Sequence, residues 1–236
     1  MRGYMPEDQQ SAMARYVDGE IKAAEIDDIV ARYATATPIS ADQMEVANIM
    51  GQKLVEHPAM QFLMEGAYCE QTVTWADDAA NRQAALDTLD GDLPLPTEPT
   101  GIRLKARPDL WRMYGDTAIL ADLKTTRNAS SKSFSRDAYL YRYYVQAALY
   151  SDGFKAATGT EVGSFAFVCI ETAPPYAVAV YRIDDASIEA GRIAYLRNLT
   201  RLHECRQSND WPSYGDSVID LTLPGWAFAE VVEAAA

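Results

Sequence analysis

IRLKARPDLWRMYGDTAILADLKTT, residues 102–126, decides the fold. At its centre Tyr114-Gly115-Asp116-Thr117 reads as a tight turn between two strand-like runs, because Gly at the first of two loop positions suits a two-residue hairpin. With Gly115-Asp116 as the loop, Asp109 faces Asp122 and Arg107 faces Lys124. Alternation along a strand then places Arg107, Asp109, Asp122 and Lys124 on one face. The other face carries Leu104, Ala106, Pro108, Leu110, Ile119, Ala121 and Leu123 and reads as core. Opposed carboxylates stand about 5 Å apart at Cβ and destabilise the pair unless a cation lies between them. A divalent metal is the simplest such cation. The alternative is a solvated hairpin face with chance charges, and Pro108, which cannot donate to a ladder, allows a bulge that shifts the register.

Charge is unevenly distributed around this stretch. The 236-residue chain has a net charge of −13, which by itself disfavours a nucleic-acid partner. Yet residues 1–100 hold 6 Lys/Arg against 18 Asp/Glu, residues 103–142 hold 9 against 4, and residues 143–236 hold 6 against 12. The one basic segment therefore surrounds the candidate metal site, where a polyanion could be drawn in. Apolar residues make up 48% of the chain, enough for a sizeable core. No run of 18 or more apolar residues occurs, so no spanning helix and no membrane partner are expected. MRGYMPEDQQ at the start lacks an apolar h-region, and a signal peptide is not expected. Cys69, Cys169 and Cys205 lie far apart, without zinc or iron–sulfur spacing, and point to a reducing cytoplasm.

Along the chain, residues 6–34 carry a broken helical stripe of Met13, Tyr16, Val17, Ile21, Ile26, Ile29 and Val30. Thr37-Pro38 breaks it, and Ser40 can cap a second helix from Ala41 to about His57. Pro58 ends that helix, and a short one over Ala59–Glu65 leads to a strand over Glu70–Trp75. Glu70 opens that strand beside the hairpin and is favoured over Glu65 as a third carboxylate. Residues 76–100 are acidic and Pro/Gly-rich and read as an excursion, with a short helix over Ala79–Leu89. Arg127–Arg136 reads as a polar loop, and Asp137–Tyr150 as a helix stopped at Asp152-Gly153. Tyr139, Tyr143, Gln146 and Tyr150 share one stripe of it. A glutamine in such a stripe is hard to read as plain core, because its amide needs partners. Strands over Gly163–Glu171 and Tyr176–Ile183 follow, then a helix from Ile188 to about Arg206, capped by Asp184 or Asp185. Trp211, Tyr214 and Leu223-Pro224-Gly225-Trp226 are expected to strap over the domain. The reading is an α/β fold: a mixed central β-sheet flanked by helices, with an N-terminal helical extension over 1–57 and a core over 58–236 that carries an insertion at 76–100.

Glu70, then Asp109…Asp122-Leu-Lys124, then Gln146-x-x-x-Tyr150 occur in that order. Together with Lys105-Ala-Arg-Pro-Asp109, Asp122-Leu-Lys-Thr-Thr126 and Leu223-Pro224-Gly225-Trp226 they resemble the PD-(D/E)XK nuclease superfamily. The nearest branch is RecB-like and RecE-like, the phage and prophage exonucleases similar to lambda exonuclease. The likeness covers about Pro58 to Trp226. It implies a restriction-endonuclease-like core and a metal-dependent DNA exonuclease acting on linear double-stranded DNA, from 5′ ends, in recombination by single-strand annealing. It further implies a ring-shaped homo-oligomer, a single-strand annealing protein as partner, and a phage- or prophage-encoded protein in the bacterial cytoplasm. Some relatives have a further His ligand, which neither His57 nor His203 matches. Relatives with an iron–sulfur cluster use four cysteines, which this chain lacks, so no cluster is expected.

Phosphodiester hydrolysis needs a positioned water, a means of deprotonating it and positive charge on the developing oxyanion. Asp109 and Asp122 can hold one or two hard divalent ions, Mg²⁺ by preference and Mn²⁺ as a substitute. The resemblance adds the Leu123 backbone carbonyl and Glu70 to that shell. Lys124 is placed to orient or help deprotonate the water. Gln146, Tyr150 and Arg107 are assigned to support the phosphate or Lys124, and Lys105, Arg127, Lys132, Arg136 and Arg142 to contact DNA. Two rival readings stay open. One is a structure-specific endonuclease or helicase-linked nuclease on the same fold. The other is a non-catalytic module that binds DNA ends or serves assembly.

Overall fold

The structure, a computed structural model, describes residues 39–89, 94–215 and 217–228. The helix expected over residues 6–34 lies outside the described residues. Helix α1 (Ala41–Glu56) starts in a reciprocal capping box. Ser40 Oγ accepts the Gln43 N–H at 3.1 Å, and Gln43 Oε1 accepts the Ser40 N–H at 2.8 Å. Pro58 opens α2 (Pro58–Met64), where its missing N–H costs nothing. The chain continues through β1 (Tyr68–Cys69), β2 (Val73–Ala76), α3 (Ala79–Leu86), β3 (Arg103–Ala106), β4 (Leu110–Tyr114) and β5 (Thr117–Thr126). It then forms α4 (Ser131–Leu140), α5 (Tyr143–Thr158), β6 (Val162–Glu171), β7 (Val178–Arg182) and α6 (Asp185–Ser208). The class is mixed α/β, as the order of sequence patterns predicts.

The main sheet has five strands in the order β1-β4-β5-β6-β7, and β2 and β3 pair in a separate two-stranded sheet. The hairpin β4–β5 has the expected register, with Tyr114 opposite Thr117 and Leu110 opposite Ala121. Gly115 sits at φ +59, the left-handed conformation that this two-residue loop requires and that L side chains rarely adopt. β5 and β6 run parallel. Parallel neighbours cannot be joined by a tight turn, so the chain crosses over through α4 and α5.

Both faces of β5 are buried. On one, Ala118 and Leu120 pack with Ala147 and Phe154 of α5. On the other, Ala121 packs with Leu63 of α2, Leu110, Ala166 and Val168. The one-sided core read from the sequence is therefore corrected: the face bearing Asp122 and Lys124 is also interior, and Leu123 on the opposite face is 42% exposed. A central strand flanked by helices on both sides explains this.

Other expectations also change. The strand expected over Glu70–Trp75 is present only from Val73, as β2; Glu70, at φ +55, lies in the connection from β1, which belongs to the other sheet. The first hairpin arm is broken at Arg107–Asp109: β3 turns away to pair with β2, matching Val73 to Ala106 and Ala76 to Arg103. Arg107 accordingly does not face Lys124. Pro108, buried at this break, cannot contribute an N–H to continue the ladder. The helix expected over Asp137–Tyr150 is two, divided where Arg142 adopts φ +59. The first begins within the predicted polar loop, and the second runs past Gly153 to Thr158. Gly153 does not stop it because the Trp75 ring lies on this helix there, where a Cβ would be 2.3 Å from the indole. Trp211, Tyr214 and Trp226 are exposed rather than strapped down, since α6 already buries Tyr195, Leu196 and Leu199 against α3 and α5.

The excursion over 76–100 is pinned by a buried ion pair. Arg82 Nε donates to Asp77 Oδ1 at 2.9 Å and its Nη2 to Oδ2 at 2.5 Å, with Arg82 only 1% exposed. The Thr100 N–H and hydroxyl also donate to Asp77, at 3.0 and 2.5 Å, which ties the two ends of the excursion together. Arg82→Met leaves Asp77 as an unpaired buried charge and is expected to cost about 3–5 kcal/mol in urea unfolding. A loss below 1 kcal/mol would contradict this role. Asp184 caps α6 through the Ser187 N–H at 2.8 Å, and that bond holds its carboxyl below the usual value. A lowered carboxyl stabilises the fold above its unfolded-state value, and that contribution fades as pH falls through the native one. Asp184→Ala should therefore cost about 1 kcal/mol at pH 7, with the difference from wild type shrinking toward pH 3.

Candidate active site

Asp122 and Lys124 continue the interior face of β5 past Ala118 and Leu120, by strand alternation. Asp122 is 5% exposed. Burying a carboxylate this far costs several kcal/mol unless it is paired and hydrogen-bonded. The crossover supplies one partner and the strand the other. Gln146 on α5 donates its Nε2 to Asp122 Oδ1 at 2.7 Å and accepts from Lys124 Nζ at 2.9 Å. Lys124 Nζ also pairs with Asp122 Oδ2. The three side chains thus close a ring in which every charge has a partner. This answers the question posed by a glutamine in a helical apolar stripe.

Burial pushes the Asp122 carboxyl above its usual value, and the neighbouring charge of Asp109 adds to that rise. Lys124 and Gln146 act against it. Lys124 Nζ also lies 4.4 Å from the centre of the Tyr143 ring, a cation–π contact in a partly desolvated position. Burial, then the charge of Asp137, raises the Tyr143 hydroxyl.

Asp109 lies just before β4, beyond the last ladder pair. Its Oδ2 accepts the Leu123 N–H at 2.7 Å, bridging the two arms where backbone pairing has stopped. The N–H and C=O of one strand residue point to the same side. The Leu123 carbonyl therefore faces the Asp109 side of β5 as well. The Asp122 carboxylate is near enough for the Asp109 charge to act on it, and carboxylate oxygens with a backbone carbonyl are the kind of donors that a hard divalent cation takes.

The remaining assigned residues lie apart from this ring. Glu70 pairs with Arg107 at 2.9 Å, both largely exposed, and its N–H donates to the Asp109 carbonyl at 3.1 Å. Glu65 pairs with Arg112 at 3.3 Å. Among the described residues no three His, Cys, Asp or Glu side chains gather closely enough to hold a metal. Neither glutamate thus completes a three-carboxylate cluster with Asp109 and Asp122. Tyr150 packs edge-on against Phe165, with centroids 6.5 Å apart, in the core one turn beyond Gln146. Lys105 is exposed on β3, and Arg127, Lys132 and Arg136 are exposed at the end of β5 and on α4. Arg142 is exposed between the helices and donates to the Tyr144 hydroxyl at 2.5 Å. His57 caps α2 and His203 lies on α6.

Tyr143 and Cys169 escaped the sequence reading as neighbours of the site. The signal for Tyr143 was its position three residues before Gln146, which puts both on one helical face. Cys169 is opposite Lys124 in the parallel ladder, a pairing that no local pattern encodes.

Residues 93–219, more than half of the chain, match the family described as PDDEXK-like domain of unknown function (DUF3799). The chain belongs to this PDDEXK-like family. No curated protein matches it. A candidate exonuclease from Eubacterium rectale is similar in structure, with 13% identity, 91% of this chain and 79% of that one covered, and a TM-score of 0.49. An alkaline exonuclease from Laribacter hongkongensis shows 18% identity, 86% and 97% coverage, and a TM-score of 0.27. At these scores neither likeness bears on activity. The PDDEXK-like match spans the hairpin, the crossover and the ring of Asp122, Lys124 and Gln146. No helix among the described residues is long and apolar enough to cross a membrane.

Burial raises the Cys169 thiol to about 12, and Cys169 is fully buried beside Lys124, whereas Cys69 is exposed. The thiolate is the reactive form. Native protein treated with iodoacetamide at pH 8 should therefore be alkylated at Cys69 and spared at Cys169, read by peptide mass spectrometry. Rapid labelling of Cys169 would mean that the sheet beneath Lys124 opens.

Proposed function

We propose that this chain is a metal-dependent DNA exonuclease that hydrolyses phosphodiester bonds of linear double-stranded DNA from 5′ ends. The observation that carries this reading is the buried ring of Asp122, Lys124 and Gln146 with Asp109 at its open edge. Such a ring has a high cost as a purely structural device. A hydrophobic triplet would fill the same space on a central strand without desolvating two charges.

Asp109, Asp122 and the Leu123 carbonyl would hold the cation, Mg²⁺ by preference and Mn²⁺ as a substitute. When bound, it supplies positive charge at the phosphate and lowers the cost of deprotonating water. Lys124 keeps its ammonium between Asp122 and Gln146, from where Nζ can donate to a phosphate oxygen or orient the attacking water. Gln146 orients both ions, accepting a hydrogen bond from Lys124 and donating one to Asp122. Tyr143 screens the ammonium from solvent on one side and strengthens its field. Glu70 would serve at the rim, where Arg107 holds it beside Asp109. The basic segment over 103–142 contrasts with an otherwise acidic chain and supports a polyanionic substrate at this edge. A ring-shaped homo-oligomer, a single-strand annealing partner and a role in recombination follow from the RecE-like resemblance and belong to this proposal.

Purified protein with Mg²⁺ should release nucleotides from linear duplex and leave closed circular duplex intact. Cutting of the circle would point instead to an endonuclease. Differently end-labelled linear DNA reads the polarity. Asp122→Ala and Lys124→Ala should each lower hydrolysis at least about a hundredfold while circular dichroism stays native. Gln146→Ala should lower it about tenfold, since that residue positions the other two. Unchanged turnover in Lys124→Ala would remove the site assignment.

A further inference from the structure

A cavity of about 570 Å³ opens between the carboxyl ends of β5 and β6 and the corner between α4 and α5. It shares a wall with the candidate active site, because Tyr143, whose ring carries Lys124 Nζ, also lines it. Tyr141 forms the outer rim, 66% exposed, with its ring 5.7 Å from that of Tyr143. It stands there because α4 ends at this residue and Arg142 takes the left-handed conformation before α5 begins. The opposite side is polar. Asp137 Oδ2 accepts from the Thr126 hydroxyl at 3.4 Å. Asn128, also in the lining, accepts the Ser130 N–H through Oδ1 at 2.9 Å. Arg127 is exposed at the mouth.

We propose that this cavity receives an unpaired nucleobase from the strand whose backbone lies at Lys124. The inference rests on the nuclease reading above. Its size falls within the range of about 300–1,000 Å³ of small-ligand sites. Tyr141, exposed at the rim, offers an aromatic face on which any base can stack, a contact indifferent to sequence, with Tyr143 in the wall behind it. The Asp137 carboxylate repels a phosphate and accepts base N–H groups, so the base rather than the backbone enters. Arg127 at the mouth can meet the phosphate that stays outside. A base still held in a duplex keeps its edge paired and its face stacked, so only a frayed end or an overhang can donate one. The cavity would thereby favour strand ends over duplex interior at a site otherwise blind to sequence.

The test uses a short duplex with a two-nucleotide 5′ overhang ending in 2-aminopurine, a fluorescent base that is quenched on stacking. Full-length protein is titrated with EDTA present to block turnover, and anisotropy of a distal fluorescein reports binding separately. Saturating wild type should quench the 2-aminopurine at least threefold. Tyr141→Ala should leave it bright and bind about tenfold more weakly, within the range of one lost stacked base. Tyr141→Phe should behave as wild type. Tyr141 is exposed, so these variants leave the core intact. Bound wild type with a bright base, quenching by Tyr141→Ala equal to wild type, or no binding would each overturn the proposal. Wild type that quenches the base yet releases no nucleotides with Mg²⁺ would overturn the nuclease reading while the base site stands.

Discussion

The burial of Asp122 governs the arrangement around it. A carboxylate 5% exposed on a central strand needs compensation from every side. Lys124 provides the charge and Gln146 the amide that contacts both. Removal of Lys124 would leave the carboxylate without its counter-ion in a poorly solvated space, and removal of Gln146 would cost both ions a hydrogen bond. The geometry is therefore mutually enforcing: each of the three side chains is held by the other two. Asp109 adds a second negative charge near Asp122, which raises the carboxyl further.

Topology makes the ring possible. The parallel pairing of β5 and β6 demands a crossover, and the crossover lays α5 over the interior face of β5. Gly153 lets Trp75 of the small sheet lie directly on α5, and Gly191 lets α6 approach the backbone at Tyr144. These close contacts hold the helix in one position, and a side chain such as Gln146 can then meet its partners within hydrogen-bond range. The break between α4 and α5 has the further effect of turning Tyr141 outward beside the same site.

Much of this was readable from local pattern. Gly115 in a two-residue loop set the hairpin register correctly as far as Leu110 and Ala121, whereas Asp109, read as the strand partner of Asp122, lies beyond that ladder and accepts the Leu123 N–H. The capping signals at Ser40 and Asp184 marked helix starts. Gln146 stood out because an amide inside an apolar stripe must find partners. The misreadings came from contacts distant in sequence. Gly153 looked like a helix stop until Trp75 was found against it. Arg107 looked like a strand partner of Lys124, but β3 leaves the hairpin to pair with β2 and Arg107 turns to Glu70.

By itself the sequence determined the alternation of strands and helices, the hairpin register, the basic segment and the identity of the charged groups that lie near one another. All of these depend on residues within a few positions of each other, where φ/ψ preferences and side-chain periodicity act directly. Only the tertiary structure decided that both faces of β5 are interior, that the Glu70 side chain pairs with Arg107 instead of joining Asp109 and Asp122, and that Tyr143 and Cys169 border Lys124. Those outcomes depend on how the separately formed segments pack. The free energy of packing is set by partners dozens of residues away, and no local preference carries it.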